Sequence, residues 1–314
     1  MKALKDTYLE IFESIDFEKI RDHPNILIAA NFWEADRYSA ARTCYKFMRA
    51  IDDLIDDHKA LNKVITPAER QGFVDDVGKW VGMIFNGDGK SAEQSELTET
   101  IKRFLIPAWP LEAFAKSMIY DIFNDGFSSI EEFLHYAGGA SVAPAAIFVH
   151  LAGLRKDNGI YREPSFDVRE AAQSCAIFSY LVHIIRDFQK DQLNNLNYFA
   201  DDLIVKFGLS RQVLGEIARG SSVPDGFRKM IREYYDLADE YRIKTFSCIN
   251  NIWPHLEPRY QLSLEIIFEL YLMVFERIDP ENGYFETEML NPTPSESRER
   301  VFKTILNSKT LVYV

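Results

Sequence analysis

Arg42 to Asp57 reads RTCYKFMRAIDDLIDD. Apolar Cys44, Phe47, Met48, Ile51, Leu54 and Ile55 recur at helical spacing, so the segment is an amphipathic or fully buried helix. Tyr45, Arg49, Asp52 and Asp56 share another stripe, at i, i+4, i+7 and i+11. Two carboxylates one turn apart on a core-type helix repel each other, and an isolated ionised carboxylate is costly to bury. The pair therefore needs a cation or a watery cleft. A hard divalent ion such as Mg²⁺ takes oxygen ligands, commonly one or two carboxylates plus phosphate oxygens of a substrate. A solvated acidic helix end is the alternative reading of the same residues.

The 314 residues carry 36 Lys and Arg against 48 Asp and Glu, a formal net charge of -12. That balance argues against nucleic acid as a partner, because phosphate backbones select basic faces. A hydrophobic share of 47% with 27% charged residues is globular, not disordered. Cys44, Cys175 and Cys248 are far apart and sit in apolar patterns, as reduced core residues of an intracellular, cytoplasmic protein do. The opening MKALKDTYLEIFESIDF mixes acids through its apolar pattern, unlike a signal peptide. The longest apolar run, Ala143 to Leu154, contains Pro144 and His150 and falls short of a membrane span. A soluble protein is expected, at most resting on a membrane surface.

Helical period and helix punctuation run through nearly the whole chain, and no convincing alternating strand is present. One all-α domain over residues 1–314 is predicted. The spacing predicts helices over 3–20, a pair within 25–57, then Pro67 to Phe85, Glu93 to Ile106 and Leu111 to Asn124, with NGDGKS (Asn86 to Ser91) a turn. Asp75-Asp76 reads as solvated surface. Ser128 with Glu131 predicts a capping box. The helix that follows holds Gly138, Gly139, Ala140, Ser141, Ala143, Ala145 and Ala146, with Pro144 among them. Glycine costs roughly 1 kcal/mol and proline about 3 in a helix interior, so something compensates. Either a neighbouring helix packs very close or the wall is thin because a ligand lies against it, with Ala145 and Ala146 as candidate lining. RKDNGIYREPSFD (Arg155 to Asp167) predicts a loop, and Asp167 with Glu170 caps a helix through Asp191. Long helices follow over 223–253 and 256–277, and Thr293-Pro294-Ser295-Glu296 caps a last one.

The helix through Asp191 carries the second stripe. Tyr180, His183, Asp187 and Asp191 share one face, Ile177, Leu181, Ile185 and Phe188 another, and Arg186 directly precedes Asp187. The pairs Asp52/Asp56 and Asp187/Asp191 suit facing helices that grip a metal-bound diphosphate. Diphosphate loss from an allylic prenyl chain needs charge neutralisation, which Mg²⁺ and Arg supply. It also needs a dry pocket whose aromatic faces tolerate a carbocation, and 23 Phe with 15 Tyr provide the material.

This order and spacing resembles the squalene/phytoene synthase family of head-to-head prenyl-diphosphate synthases. The first motif is Arg49-Ala50-Ile51-Asp52-Asp53-Leu54-Ile55-Asp56, preceded by Tyr45. The second is Ile185-Arg186-Asp187-Phe188-Gln189-Lys190-Asp191, followed by Asn197-Tyr198-Phe199 and Asp201-Asp202-Leu203. The small-residue helix around Tyr136 to Gly153 and the stretch Tyr271 to Ile278 extend the resemblance over about 23–280. It implies an all-α isoprenoid synthase bundle around a central cavity, Mg²⁺ (with Mn²⁺ as an alternative), and prenyl diphosphate substrates of C15 or C20. Two of them condense through a cyclopropylcarbinyl diphosphate to a squalene- or phytoene-like hydrocarbon. Carried over residue by residue, Asp52, Asp56, Asp187 and Asp191 hold metal. Arg49 and Arg186 contact diphosphate or orient the carboxylates, and Tyr45 and Tyr198 lie near the reacting centre.

The chain departs from that pattern at several positions. His183 stands where a metal-facing Asn is usual, Tyr180 for a Gln, Lys190 for an acid and Leu196 for an Arg; His23-Pro24-Asn25-Ile26-Leu27 replaces a Ser/Phe-rich entry segment. The ionising half of the reaction matches the family, and the coupling half diverges. His183 is expected to point at the metal or the diphosphate, where a protonated ring donates to a phosphate oxygen; a buried core histidine is the alternative. Tyr180 belongs with it as a substrate-binding candidate. Two other functions stay open. One ionises a single prenyl diphosphate to give a prenyl alcohol, a cyclised terpene or a prenylated acceptor. The other is a helical prenyl- or lipid-binding protein, against which the four aspartates speak. No nicotinamide motif is recognisable, and NADPH use is left open because a reducing partner can bind without one.

Overall fold

In the computed structural model, which describes residues 2–20, 24–60, 65–86 and 92–308, helices account for most of the chain. They run α1 (Lys2–Ser14), α2 (Pro24–Ala30), α3 (Ala35–Ala60), α4 (Pro67–Asn86), α5 (Ala92–Arg103), α6 (Ala108–Phe123) and α7 (Ile130–Ala137). A π-helical turn (Gly138–Val142) joins α7 to α8 (Ala143–Gly153), and a hairpin of β1 (Arg155–Asp157) and β2 (Ile160–Arg162) follows. Then come α9 (Val168–Arg186), α10 (Phe188–Leu193), α11 (Asp201–Lys206), α12 (Arg211–Ala218) and α13 (Asp225–Ile252). The chain closes with α14 (Pro258–Phe275), α15 (Thr287–Leu290) and α16 (Pro294–Asn307). His23 and, of the turn expected at Asn86 to Ser91, all but Asn86, which ends α4, lie outside the described residues.

Helix α9 is the axis of the bundle. Ile177, Phe178, Leu181, Val182, Ile184 and Ile185 are all buried, because α13 packs along one side while α8 and the π turn cover another. Each such side chain contributes about 1.5–3 kcal/mol in transfer terms, which fixes the orientation of the stripe left over. That stripe is Tyr180, His183 and Arg186, all partly buried. Helices α3 and α6 close on α8, and α14 packs against α2, α9 and α16.

Five expectations need correction. The opening helix, expected over 3–20, ends at Ser14, and the chain turns at 17–19. The stretch 155–167 contains the hairpin, whose Asn158 and Gly159 take positive φ of 50° and 83°, the tight-turn geometry that Asn-Gly favours. Its three-residue strands are too short for alternation to register. The cap expected at Ser128 sits one residue on: Ser129 accepts from the Glu132 N–H, and Glu132 takes both the N–H and the hydroxyl of Ser128. Consecutive serines and glutamates make the two registers indistinguishable by spacing. Helix α9 stops at Arg186, with Asp187 (φ -92°, ψ 2°) outside helical geometry. Finally, Ile130–Gly153 forms a continuous helical run long and apolar enough to cross a bilayer, but 72% of its most apolar window is buried inside the fold, so it is a core helix.

The glycine pair resolves into two roles. A Cβ on Gly139 would lie 2.2 Å from Ser117 Oγ and 2.3 Å from the Ala113 carbonyl, so α6 packs against bare backbone there. Ser117 in turn donates to the Tyr136 carbonyl at 3.0 Å, within the run that the π turn distorts. A Cβ on Gly138 meets nothing within 4 Å. Gly139→Ala is therefore expected to cost roughly 1–3 kcal/mol through overpacking. Gly138→Ala should be neutral or stabilise by about 0.5–1 kcal/mol. Thermal melts of the two variants check this, and a Gly139→Ala protein melting with the wild type would contradict the close packing.

Candidate active site

On α3, Ile51 and Ile55 are buried and turn the opposite side of the helix toward α6. Arg49 pairs with Asp52 at 3.3 Å and with Asp53 at 2.5 Å. Tyr45 lies one turn earlier, close enough for its phenol to bear on the Arg49 guanidinium. Across the site, Arg186 forks onto Asp187, Nε to Oδ1 at 2.8 Å and Nη2 to Oδ2 at 2.6 Å. The break at Asp187 does not disturb the one-turn spacing, because the Asp191 N–H still donates to the Asp187 carbonyl at 2.8 Å.

The electrostatics bring the two stripes together. Burial, and then Asp187, push the Asp191 carboxyl well above the usual carboxylate range, and Asp56 on α3 adds to the effect. Asp52 is raised by burial and by Asp56. Asp56 is raised by burial and by Asp121, while Lys59 pulls it back. Tyr198 sits in the combined field of Asp56, Asp121 and Asp191, beyond the larger effect of its burial. The loop that carries it is tied down by bonds from Leu196 N–H to the Asp191 carbonyl (2.9 Å) and from Ala200 N–H to the Tyr234 hydroxyl (2.8 Å).

Asp121 on α6 and Tyr136 on α7 belong to the site and were not expected from the sequence. The Tyr136 hydroxyl donates to Asp121 at 2.5 Å. Burial raises the Asp121 carboxyl from 3.8 to about 7, with Asp52 adding to the rise and Lys59 opposing it. The only sequence signal was a lone acid within the apolar run SMIYDIF.

An aromatic wall stands beside the acids. Tyr180 stacks on Phe133 (5.4 Å, 17°) and Tyr136 (6.4 Å, 27°), and Tyr198 meets Tyr180 edge-on at 6.3 Å. The His183 ring packs on Tyr271 of α14 at 5.1 Å. Ala146 is fully buried and Ala145 partly so. They lie nine and ten residues from Tyr136 along the helical run, about 13–15 Å, away from the acidic mouth.

The donor chemistry suits a hard ion. Asp52 with Asp56 and Asp187 with Asp191 offer oxygens in pairs, and among the described residues no three His, Cys or acidic side chains converge to hold an ion by themselves. Paired carboxylates fit Mg²⁺, whose other ligands are water and substrate phosphate oxygens. They do not fit a structural zinc, which is fully enclosed by protein ligands.

An all-α bundle with two carboxylate pairs beside an aromatic wall has the isoprenoid synthase architecture. The squalene/phytoene synthase family profile matches residues 21–295, and the chain belongs to that family. Among curated relatives, phytoene synthase 2 (chloroplastic) of Solanum lycopersicum is 24% identical over 178 residues, covering 56% of this chain and 54% of that protein. The Oryza sativa subsp. japonica phytoene synthase 2 is 24% identical over 197 residues, covering 63% and 46%. The chain thus spans about half the length of the curated relatives it matches. A crystal structure of a dehydrosqualene synthase in complex with ligand superposes with TM-score 0.69 at 13% identity, over 95% of this chain and 96% of that one. A squalene synthase of Alicyclobacillus acidocaldarius gives 0.63 at 14%, over 93% and 98%.

The raised carboxyl of Asp121 sets a pH dependence. The folded chain holds this proton more tightly than the unfolded chain, so between pH 3.8 and about 7 the folded state binds more protons and stability falls as pH rises. Metal-free protein is expected to melt at lower temperature at about pH 7.5 than at about pH 5, and Asp121→Asn should flatten the slope. A wild-type slope unchanged by Asp121→Asn would contradict the assignment.

Proposed function

We propose that this chain is a divalent-metal-dependent prenyltransferase that condenses two prenyl diphosphates, C15 or C20, head to head into a squalene- or phytoene-like hydrocarbon. The observation that carries this reading is that Asp56 on α3 adds to the rise of the Asp191 carboxyl on α10, and that both bear on Tyr198 beside the stacked tyrosines, which supports one shared site for the two acidic pairs. Both the names of the plant relatives and those of the structural neighbours support it.

Asp52, Asp56, Asp187 and Asp191 are the residues that would hold Mg²⁺. When bound, the ion neutralises charge on the departing diphosphate. Arg49 and Arg186 keep the carboxylates oriented through the pairs described above, and Tyr45 backs Arg49. The faces of Tyr136, Tyr180 and Tyr198 line the place where an allylic cation develops, stabilise it through their ring quadrupoles and exclude water.

A second reading, ionisation of one prenyl diphosphate with capture by water, is favoured by the bulk of Tyr180, whose ring stacks into the space beside the acids. Incubation with C15 and C20 diphosphates and Mg²⁺, with and without NADPH, followed by mass analysis, separates the two. A C30 or C40 hydrocarbon with its cyclopropylcarbinyl diphosphate is expected; a prenyl alcohol alone overturns condensation. Asp52→Ala or Asp187→Ala should slow diphosphate release by about 100-fold or more while the helical fold survives. Normal turnover of either variant in limiting Mg²⁺ would contradict the two-pair assignment.

A further inference from the structure

The basic side chains around the acids are not equivalent. Arg49 is spread over Asp52 and Asp53, and Arg186 is chelated by Asp187. Lys190 is exposed. Lys59, one turn beyond Asp56 on α3, is different. Its side chain is only 10% exposed, and Nζ donates to the Asn124 carbonyl at 2.7 Å. Among the described residues its ion-pair carboxylate, Asp125, is 3.8 Å away and 87% exposed, so water screens it, and the lysine's charge also reaches the Asp56 and Asp121 carboxyls without a short ion pair to either.

An ammonium has three N–H donors and accepts nothing. One is used on the carbonyl of Asn124, the residue that ends α6, where the negative end of the helix dipole also favours a cation. That contact explains why the lysine is held in place, but among the described residues it leaves two donors without a hydrogen-bond partner. Lys59 lines a small cleft, of about 20 Å³, with Asp56, Asp121, Asp125, Leu196, Asn197 and Tyr198, so among the described residues its ammonium is the one cation facing the α6 side of the first acidic pair there. The pocket joins the first acidic pair to the loop that carries Tyr198.

We propose that Lys59 is a substrate-binding residue whose ammonium donates to a phosphate oxygen of the diphosphate at the α6 side of the site. The inference rests on the diphosphate reading given above. The basic residues then divide into two kinds, since Arg49 and Arg186 orient carboxylates while Lys59 binds the anion itself. Leu196 lines the same pocket, so a guanidinium placed there reaches the same space.

The proposal is tested by calorimetric binding of inorganic pyrophosphate in saturating Mg²⁺, with melting temperatures measured in parallel. Lys59→Gln removes the charge and keeps an N–H for the Asn124 carbonyl. It is expected to weaken binding about 10- to 100-fold, the range for a lost charge-assisted hydrogen bond. Lys59→Arg should bind within a few-fold of wild type, and Lys59→Gln combined with Leu196→Arg should recover most of the loss. If Lys59→Gln is folded and binds as tightly as wild type, the lysine only caps α6 and the inference is overturned. If wild-type protein with Mg²⁺ does not bind pyrophosphate, the diphosphate reading itself fails and takes this one with it.

Discussion

Repulsion between partly buried carboxylates that the fold holds close together is the constraint on which the rest of the structure depends. Asp52, Asp56 and Asp121 are each raised first by burial and then by another of the three, and Asp191 is raised by burial, by Asp187 and then by Asp56. Left to themselves such groups drive the helices apart or take up protons. The chain resists through packing remote from the acids. The buried faces of α9 against α13 and α8, the packing of α3 on α8 and α6, and the bare-backbone contact of Gly139 on α6 fix α3, α6 and the end of α9 that leads into Asp187 and Asp191. A fold that accepts this electrostatic cost at one site, and is well packed elsewhere, would gain most from a compensating cation there, as the proposed function requires.

Local partners then give each acid a separate role. Arg186 holds Asp187 through both carboxylate oxygens, which leaves little freedom of rotation. Arg49 is shared, so Asp52 is held more loosely. Asp121 accepts from Tyr136 and thereby couples the acidic mouth to the Tyr136–Tyr180–Phe133 stack. Charge neutralisation at one end and an aromatic surface at the other lie within two residues' reach. That is the arrangement the proposed ionisation would use to create a carbocation and protect it from water.

The motif aspartates were legible because helical period alone places residues four apart on one face. The break at Asp187 does not spoil this, since the i+4 hydrogen bond persists across it. Asp121 and Lys59 were not legible: their meaning comes from partners on other helices, and along the chain each is an ordinary single charge. The small-residue run posed a choice between a close neighbour and a ligand wall. Ser117 and Ala113 settle it for Gly139, because the contact comes from α6, far away in sequence. The position of His183 was predicted from its own helix, but its closest described ring partner, Tyr271, is on α14. Tertiary contacts, not local patterns, decide such positions.

The central claim is that both carboxylate pairs serve one metal-bound diphosphate. Crystals soaked with Mn²⁺ and a non-ionisable prenyl thiodiphosphate, measured for anomalous scattering from the metal, test it most directly. The account predicts metal peaks against Asp52/Asp56 and against Asp187/Asp191, bridged by phosphate oxygens, with the prenyl chain running along the Tyr180 wall. Metal at only one pair, or a diphosphate bound away from both, would contradict it.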